Sequence, residues 1–306
     1  LLYPLLDKKI PSSVCFLVVD EGSDPDKAQE MEEACKKHGI YYKKLQKISN
    51  LACIARARNQ GALHSNAKYI MLMDIDIMVY DGFYNKILSE IKVQKLDTHP
   101  NDFLCVGAAY LTPEGTRLFL QESNNRKNTL YSKFLQYTLE NDEKIIEASH
   151  VVTSIMVLNR EYYLSIGGQN EDFKSWGGED TELAYRLTVS AGKFPVSENF
   201  EYKEWLALFK LWGEISIRKG LFLFHAHHEV DGKYRYRNKV KNKRLFFKCV
   251  EKFNQSGQYL KPLISTKIRF ETREVISSKS ILFNMYKPLN FSGEKSNIPN
   301  PTSNLF

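Results

Sequence analysis

Two short stretches of the sequence carry side chains suited to holding a cation. Asp74 and Asp76 flank a single isoleucine at the end of the apolar run YIMLM (69–73). Carboxylates that close a buried strand are costly unless they are paired or bound to a cation. Spaced i, i+2, they can share one divalent ion through carboxylate and water oxygens, with a bound phosphate completing the shell. The competing reading is a solvated strand end before a turn. His225, His227 and His228 lie in HAHH at the end of GLFLF (220–224). A neutral imidazole there could add a nitrogen ligand to the same ion, and mixed oxygen and nitrogen ligation suits manganese better than magnesium or calcium. One ligand among the three is expected, the others having packing or surface roles.

A third stretch, WGGED (176–180), carries side chains suited to moving a proton. Gly177 and Gly178 allow a turn no Cβ would fit, presenting Trp176, Glu179 and Asp180 together at a helix entrance. An indole face stacks on the apolar side of a sugar ring, and a neighbouring carboxylate can take the proton of a hydroxyl. Acidic residues in a first helical turn also serve as caps and complements to the helix dipole. Asp20-Glu21-Gly22-Ser23 follow another apolar run and offer acceptors to a base or ribose edge, while Arg58 and Asn59 can reach polar ligand atoms from a helix.

The elements that must position these groups alternate. Residues 14–20 read as a buried strand, 26–39 as an amphipathic helix closed by Gly39, 40–46 as a strand, 50–67 as a helix and 68–80 as a strand that ends in the two aspartates. This order predicts an α/β fold with a central, mostly parallel sheet flanked by helices. Ligands of such sheets bind beyond the carboxyl ends of the strands, so Asp20, Asp74 and Asp76 fall on one rim. Residues 113–128 are polar and read as a loop or hairpin excursion, and 130–142 as a short helix. A strand and short helix follow over 149–168, then the WGGED turn, an aromatic segment from 200 to 214 and the histidine-ended strand. The reading divides the chain into one α/β domain over 1–240 and a basic C-terminal extension over 241–306, disordered from about residue 293. Within the domain, 111–146 is a variable insertion between a first half over 1–110 and a second over 147–240.

Composition narrows the classes. With 306 residues, 43% hydrophobic and 12% aromatic, the chain can bury a substantial core and is not disordered as a whole. No apolar run is long enough to cross a bilayer, and Asp7, Lys8 and Lys9 argue against a secretory signal. Five scattered cysteines without a CxxC pair point to reduced thiols in a cytosolic protein and away from structural zinc. The net charge of +7 suits nucleic acid, an anionic membrane or a phosphorylated small molecule. The basic, aromatic segment 233–248 allows a peripheral membrane contact or base stacking.

The ordered set VVDEGS, ARARNQG, MDID, WGGED and a histidine-ended strand resembles the nucleotide-sugar-dependent glycosyltransferases of the GT-A fold. The likeness is to bacterial chondroitin-polymerase-type transferase domains and, more remotely, to animal β-1,4-galactosyltransferases, over residues 14–232. It implies that 1–240 is a glycosyltransferase domain with its nucleotide-sugar-binding half over 1–110 and its acceptor and catalytic half over 147–240. It also implies that Asp20 contacts uracil, Arg58 helps hold the nucleotide, Asp74 lies near ribose and metal, and Asp76 ligates Mn²⁺, with Mg²⁺ possible. His225 is the favoured second ligand and His228 the reserve. Trp176 and Glu179 would shape the acceptor site, and Asp180 would be the catalytic base. Retaining relatives commonly carry Asn at that last position, so Asp180 favours inversion. Lys233 or Arg235 could close over the diphosphate. The implied partners are a UDP-sugar and a glycan acceptor, with no nucleic acid, in bacterial capsule or surface polysaccharide synthesis in the cytoplasm or at the inner membrane face. Members of that group carry a strand ahead of the segment matching VCFLVVDEGS that these residues do not contain. A non-catalytic carbohydrate- or nucleotide-binding module and a basic nucleic-acid or membrane binder are the alternatives.

Overall fold

The computed structural model describes residues 3–49, 51–122, 126–150, 155–175, 177–194, 202–228 and 232–264, the side chains at 150, 204 and 232–237 excepted. After a 3-10 turn at Tyr3–Leu6 come β1 (Leu17–Asp20), α1 (Pro25–Lys37), β2 (Tyr41–Lys44), α2 (Ile54–His64), β3 (Tyr69–Leu72) and β4 (Ile77–Met78). Next are α3 (Phe83–Val93), β5 (Phe103–Cys105), β6 (Gly107–Leu111), α4 (Pro113–Gln121), α5 (Lys127–Glu140), β7 (Ile146–His150) and β8 (Met156–Asn159). The chain continues through α6 (Arg160–Ser165), α7 (Glu179–Ser190), α8 (Tyr202–Arg218), β9 (Phe222–His225) and α9 (Gly232–Ser256).

The α/β class holds, with pairing more mixed than strand–helix alternation implies. β1 and β2 run parallel as a pair. β8 lies antiparallel between β3 and β5. In the order β4-β9-β6-β7, only β9 and β6 are parallel. The alternation that signals crossovers in the first third of the chain says nothing about strands that later segments insert, and β8 and β9 are such strands.

One expectation is corrected. Residues 113–121 form α4 rather than a loop or hairpin. Thr112 caps this helix, its hydroxyl accepting from the Gly115 N–H at 3.1 Å, and Pro113 supplies a φ suited to the first turn. Phe119 is buried on its inner face. Averaged polarity hid one apolar stripe behind Glu114, Arg117 and Gln121.

Two apolar clusters hold the molecule together. The first joins β4, β6 and β9 to α3 and α5 through Phe83, Ile87, Phe134 and Phe224. The second joins β3, β5 and β8 to α7, α8 and α9 through Leu158, Leu183, Trp205, Trp212 and Phe253. A domain boundary at residue 240 falls inside α9, whose Phe246, Cys249, Val250 and Phe253 belong to that second cluster. Among the described residues no helix is long and apolar enough to cross a membrane.

Between β1 and β3 there is a gap. Among the described residues β1 is paired only with β2, and β3 only with β8. The two strands instead face a cavity of about 570 Å³, walled by Val18, Val19, Ile70 and Leu72 and floored by Ala57 and Gly61 of α2. Its lining also takes in Asp20, Arg58, Asp74 and Asp76.

Candidate active site

β4 and β9 bring the histidine-ended strand to the aspartate pair. Ile77 is in register with His225, and the Ala226 N–H donates to the Asp76 carbonyl at 2.9 Å. One Asp76 carboxylate oxygen lies 3.3 Å from His225 Nε2 and the other 3.3 Å from His228 Nε2. The three side chains offer ligand atoms that all lie within 4.8 Å of one another. Tyr110, in register with His225 on β6, stacks on the imidazole with centroids 4.4 Å apart. That ring fixes the histidine's plane. His227 is directed elsewhere: its N–H donates to the Thr116 hydroxyl at 2.7 Å and its Nδ1 lies 3.6 Å from Glu147.

The trio is close but incompletely satisfied. Asp76 Oδ1 and His225 Nδ1 are buried without a hydrogen-bond partner, although 3.3 Å separates Oδ1 from His225 Nε2. Proximity without hydrogen-bond alignment, around one carboxylate and two imidazoles, is what a borderline divalent cation would convert into ligation. Burial raises the Asp76 pKa, opposed by His225 and reinforced by Asp74.

Arg58 joins the aspartate pair to the glycine turn. From α2 its Nη2 donates to Asp74 Oδ1 at 2.8 Å, and its Nη1 lies 3.8 Å from Glu179 Oε1. The guanidinium is largely buried, with 9% side-chain exposure. Asn59 anchors the same helix: its amide donates to the Gln169 carbonyl and to Glu171, both at 2.9 Å. A Cβ at Gly168, where φ is +61°, would lie 2.3 Å from Asn59 Oδ1. Only glycine admits that approach.

The turn ahead of α7 passes through left-handed backbone at Ser175, Gly177 and Gly178, with φ of 62°, 89° and 106°. A Cβ on Gly178 would meet the Phe173 ring at 2.7 Å. Glu179 is then delivered inward and is 5% exposed, with Oε2 buried and unpartnered. Burial, the neighbouring Asp180 charge and only partial relief from Arg58 push its pKa up to about 8. Asp180 is half-buried, and its Oδ1 accepts from the Thr181 N–H at 2.7 Å and its hydroxyl at 3.2 Å. The two carboxylates thus diverge, one enclosed against Arg58 and the other nearer solvent. Trp176 lies outside the described residues, as do the side chains of Lys233 and Arg235.

Asp20 closes β1. Its carboxylate accepts from the Ser23 N–H at 2.8 Å and the Tyr42 hydroxyl at 2.7 Å. Burial works against ionisation there, yet these donors hold the pKa below the ordinary carboxylate value. Glu21 turns to Arg56 and the Cys53 N–H, both at 2.9 Å, pinning the β1 exit to the start of α2.

A family model described as "Glycosyltransferase like family 2" matches residues 6–252. The chain belongs to that family. Its α/β architecture is the GT-A fold of this family, and the matched span takes in the aspartate pair, the glycine turn and the histidine-ended strand. Among curated relatives, the chain is 24% identical over 148 residues to putative polypeptide N-acetylgalactosaminyltransferase 13 of Drosophila melanogaster, covering 46% of this chain and 25% of that protein. It is 22% identical over 196 residues to probable N-acetylgalactosaminyltransferase 9 of Caenorhabditis elegans, covering 58% and 31%. The chain therefore spans a quarter to a third of the length of these relatives. Among solved structures, it is similar to GalNAc-T7 with UDP, GalNAc and Mn²⁺ at 14% identity, TM-score 0.38, over 59% of this chain and 36% of that one. It is also similar to the catalytic domain of Drosophila beta1,4galactosyltransferase 7 with xylobiose, at 16% identity, TM-score 0.28, over 58% and 62%. The family assignment rests on the family model alone.

Three contacts escape inspection of the sequence. The Arg58–Glu179 approach and the Tyr110–His225 stack join residues distant in the chain. Asn242, hidden in the basic C-terminal segment, donates to the carbonyls of Lys174 and Gly177 beneath the glycine turn.

Proposed function

We propose that this glycosyltransferase-family chain moves a sugar from a UDP-sugar to a glycan hydroxyl with inversion at the anomeric carbon. The observation that carries this reading is the meeting of Asp76, His225 and His228 at the strand ends, beside the Asp74–Arg58–Glu179 chain that leads to Asp180. The unpartnered Asp76 Oδ1, 3.3 Å from His225 Nε2, fits a metal-ion requirement. Asp76, with His225 and His228, would hold Mn²⁺ or Mg²⁺, whose chemistry is to neutralise charge that develops on a departing diphosphate. Asp20, preset as an anion by Ser23 and Tyr42, receives the uracil edge. Arg58 holds Asp74 toward the ribose and adds positive charge near the phosphates.

Asp180 acts as general base. It accepts the acceptor's hydroxyl proton as that oxygen bonds to the anomeric carbon. The bond from that carbon to the diphosphate oxygen breaks with its electron pair leaving on UDP. Glu179, kept neutral by burial, leaves Asp180 as the carboxylate able to take the proton. Trp176 stacking on the acceptor sugar belongs to the same reading, as does a role in bacterial surface polysaccharide synthesis at the inner membrane face. The relatives' names make UDP-GalNAc the first donor to try.

The test is UDP release from a panel of UDP-sugars, with Mn²⁺ or with EDTA, from the native chain and from Asp180→Asn. Release with one donor, abolished by EDTA and reduced by about 10²–10⁴-fold in the variant, is the expected result. No release from any donor, with no calorimetric binding of UDP, overturns the proposal.

A further inference from the structure

The segment that delivers Glu179 and Asp180 does not hold itself. Its backbone passes through positive φ at Ser175, Gly177 and Gly178, and a left-handed serine costs free energy unless neighbours hold it in place. On one side the Ser175 N–H donates to the Ala52 carbonyl at 2.7 Å, forming a bridge with Cys53 just ahead of α2. On the other side stands Asn242 of α9. Its amide nitrogen donates to the Lys174 carbonyl at 3.0 Å and to the Gly177 carbonyl at 2.7 Å. A primary amide has two N–H groups on one nitrogen, and here they span both ends of the four-residue segment. Asn242 is 6% exposed, and its Cβ lies 3.4 Å from where a Cβ on Gly178 would sit. The helix is seated directly against the turn.

α9 is also tied to the other half of the site. Asn242 stands ten residues into the helix, about 15 Å from its start at Gly232. Further along, Phe246, Val250 and Phe253 lock the helix into the second apolar cluster. That cluster also contains Ile70 and Leu72 of β3, the strand that leads to Asp74 and Asp76, so one helix packs with the strand that carries the aspartates and grips the turn that carries the carboxylates.

We propose that Asn242 is a positioning residue, and that α9 acts as a strut fixing Asp180 relative to the Asp76–His225–His228 cluster. This rests on the reading of Asp180 as the base. The clamp is not needed to form the ion cluster, whose members sit on or beside β4 and β9, nor to seat Asp20 at the end of β1. It sets where the proton acceptor stands.

Asn242→Asp keeps the side-chain shape but replaces the donor nitrogen by an oxygen facing two carbonyls, and Asn242→Ala removes the group. With the donor that gives UDP release in the native chain, kcat and KM for release are compared with calorimetric binding of UDP and Mn²⁺ and with the urea midpoint. The expected result is a fall in kcat of about 10- to 100-fold, as small misplacements of a catalytic group produce. KM and the Kd for UDP should stay within about threefold, because a clamp on the turn leaves the donor contacts in place. A purely structural Asn242 would lower the urea midpoint and leave kcat of the folded fraction intact. That outcome, or a Kd for UDP that weakens in step with kcat, overturns the proposal. A native chain that neither binds UDP nor releases it sinks the functional reading first, and this inference with it.

Discussion

Glu179→Gln should change how stability depends on pH, and in a direction opposite to that of most native carboxylates. Glu179 has one buried oxygen without a partner, and its other oxygen is 3.8 Å from an Arg58 already committed to Asp74 at 2.8 Å. Burial and the Asp180 charge raise its pKa from an ordinary 4.5 to about 8. A carboxyl whose folded pKa lies above its unfolded one binds its proton more tightly in the native state. Its contribution is therefore complete below about pH 4.5 and is lost as pH rises through about 8. At about 1.4 kcal/mol per tenfold change in proton affinity, ionising it in place costs on the order of 4–5 kcal/mol. Glutamine retains the shape without the charge. Urea unfolding of both proteins at pH 5, 7 and 9 should give similar stabilities at pH 5, with the variant increasingly the more stable toward pH 9. Parallel curves, or a variant weaker at every pH, would mean that Arg58 keeps Glu179 ionised and would refute the reasoning.

Two further substitutions probe the same region. Arg58→Met removes the cation that pairs with the partly exposed Asp74 and should destabilise by about 1 kcal/mol by urea unfolding, with UDP binding weakened. Gly178→Ala places a Cβ 2.7 Å from the Phe173 ring at φ +106°. It should cost about 1–3 kcal/mol and depress UDP release by more than its loss of folded protein explains.

The parts of the site that the sequence makes legible are those coded by local pattern. Asp20 and Asp74 each follow an apolar strand, so position at a strand end is enough to place them on a common rim. The glycine turn announces itself because few other residues can follow that backbone path. Choosing among the histidines depended on the register of β9 against β4, which short segments do not encode. Both His225 and His228 come within 3.3 Å of Asp76, while His227 turns toward Glu147. Contacts made by tertiary packing were invisible for a similar reason. Arg58 reads as a ligand-facing cation but also lies 3.8 Å from Glu179, and Asn242 reads as one polar residue in a charged stretch. Mixed pairing leaves no mark in the pattern, because alternation reports neighbours in space and not the direction of strands inserted later.

The gap beside β1 has a consequence for how the molecule fluctuates. The β1–α1–β2 unit shares no backbone ladder with another strand among the described residues. Its described ties to the rest include α2 packing against β1 and the contacts of Glu21 with Arg56 and the Cys53 N–H. A unit that shares no ladder with its neighbours opens at lower free energy than strands built into a continuous sheet. Its amides therefore exchange with solvent deuterium ahead of those of β8, which is paired on both edges. Asp20 rides on that unit while Asp74 follows the sheet that contains β8. A ligand gripping both would fasten the two bodies together, so protection of β1 and β2 against exchange would report occupancy of the site from residues that need not touch the ligand at all.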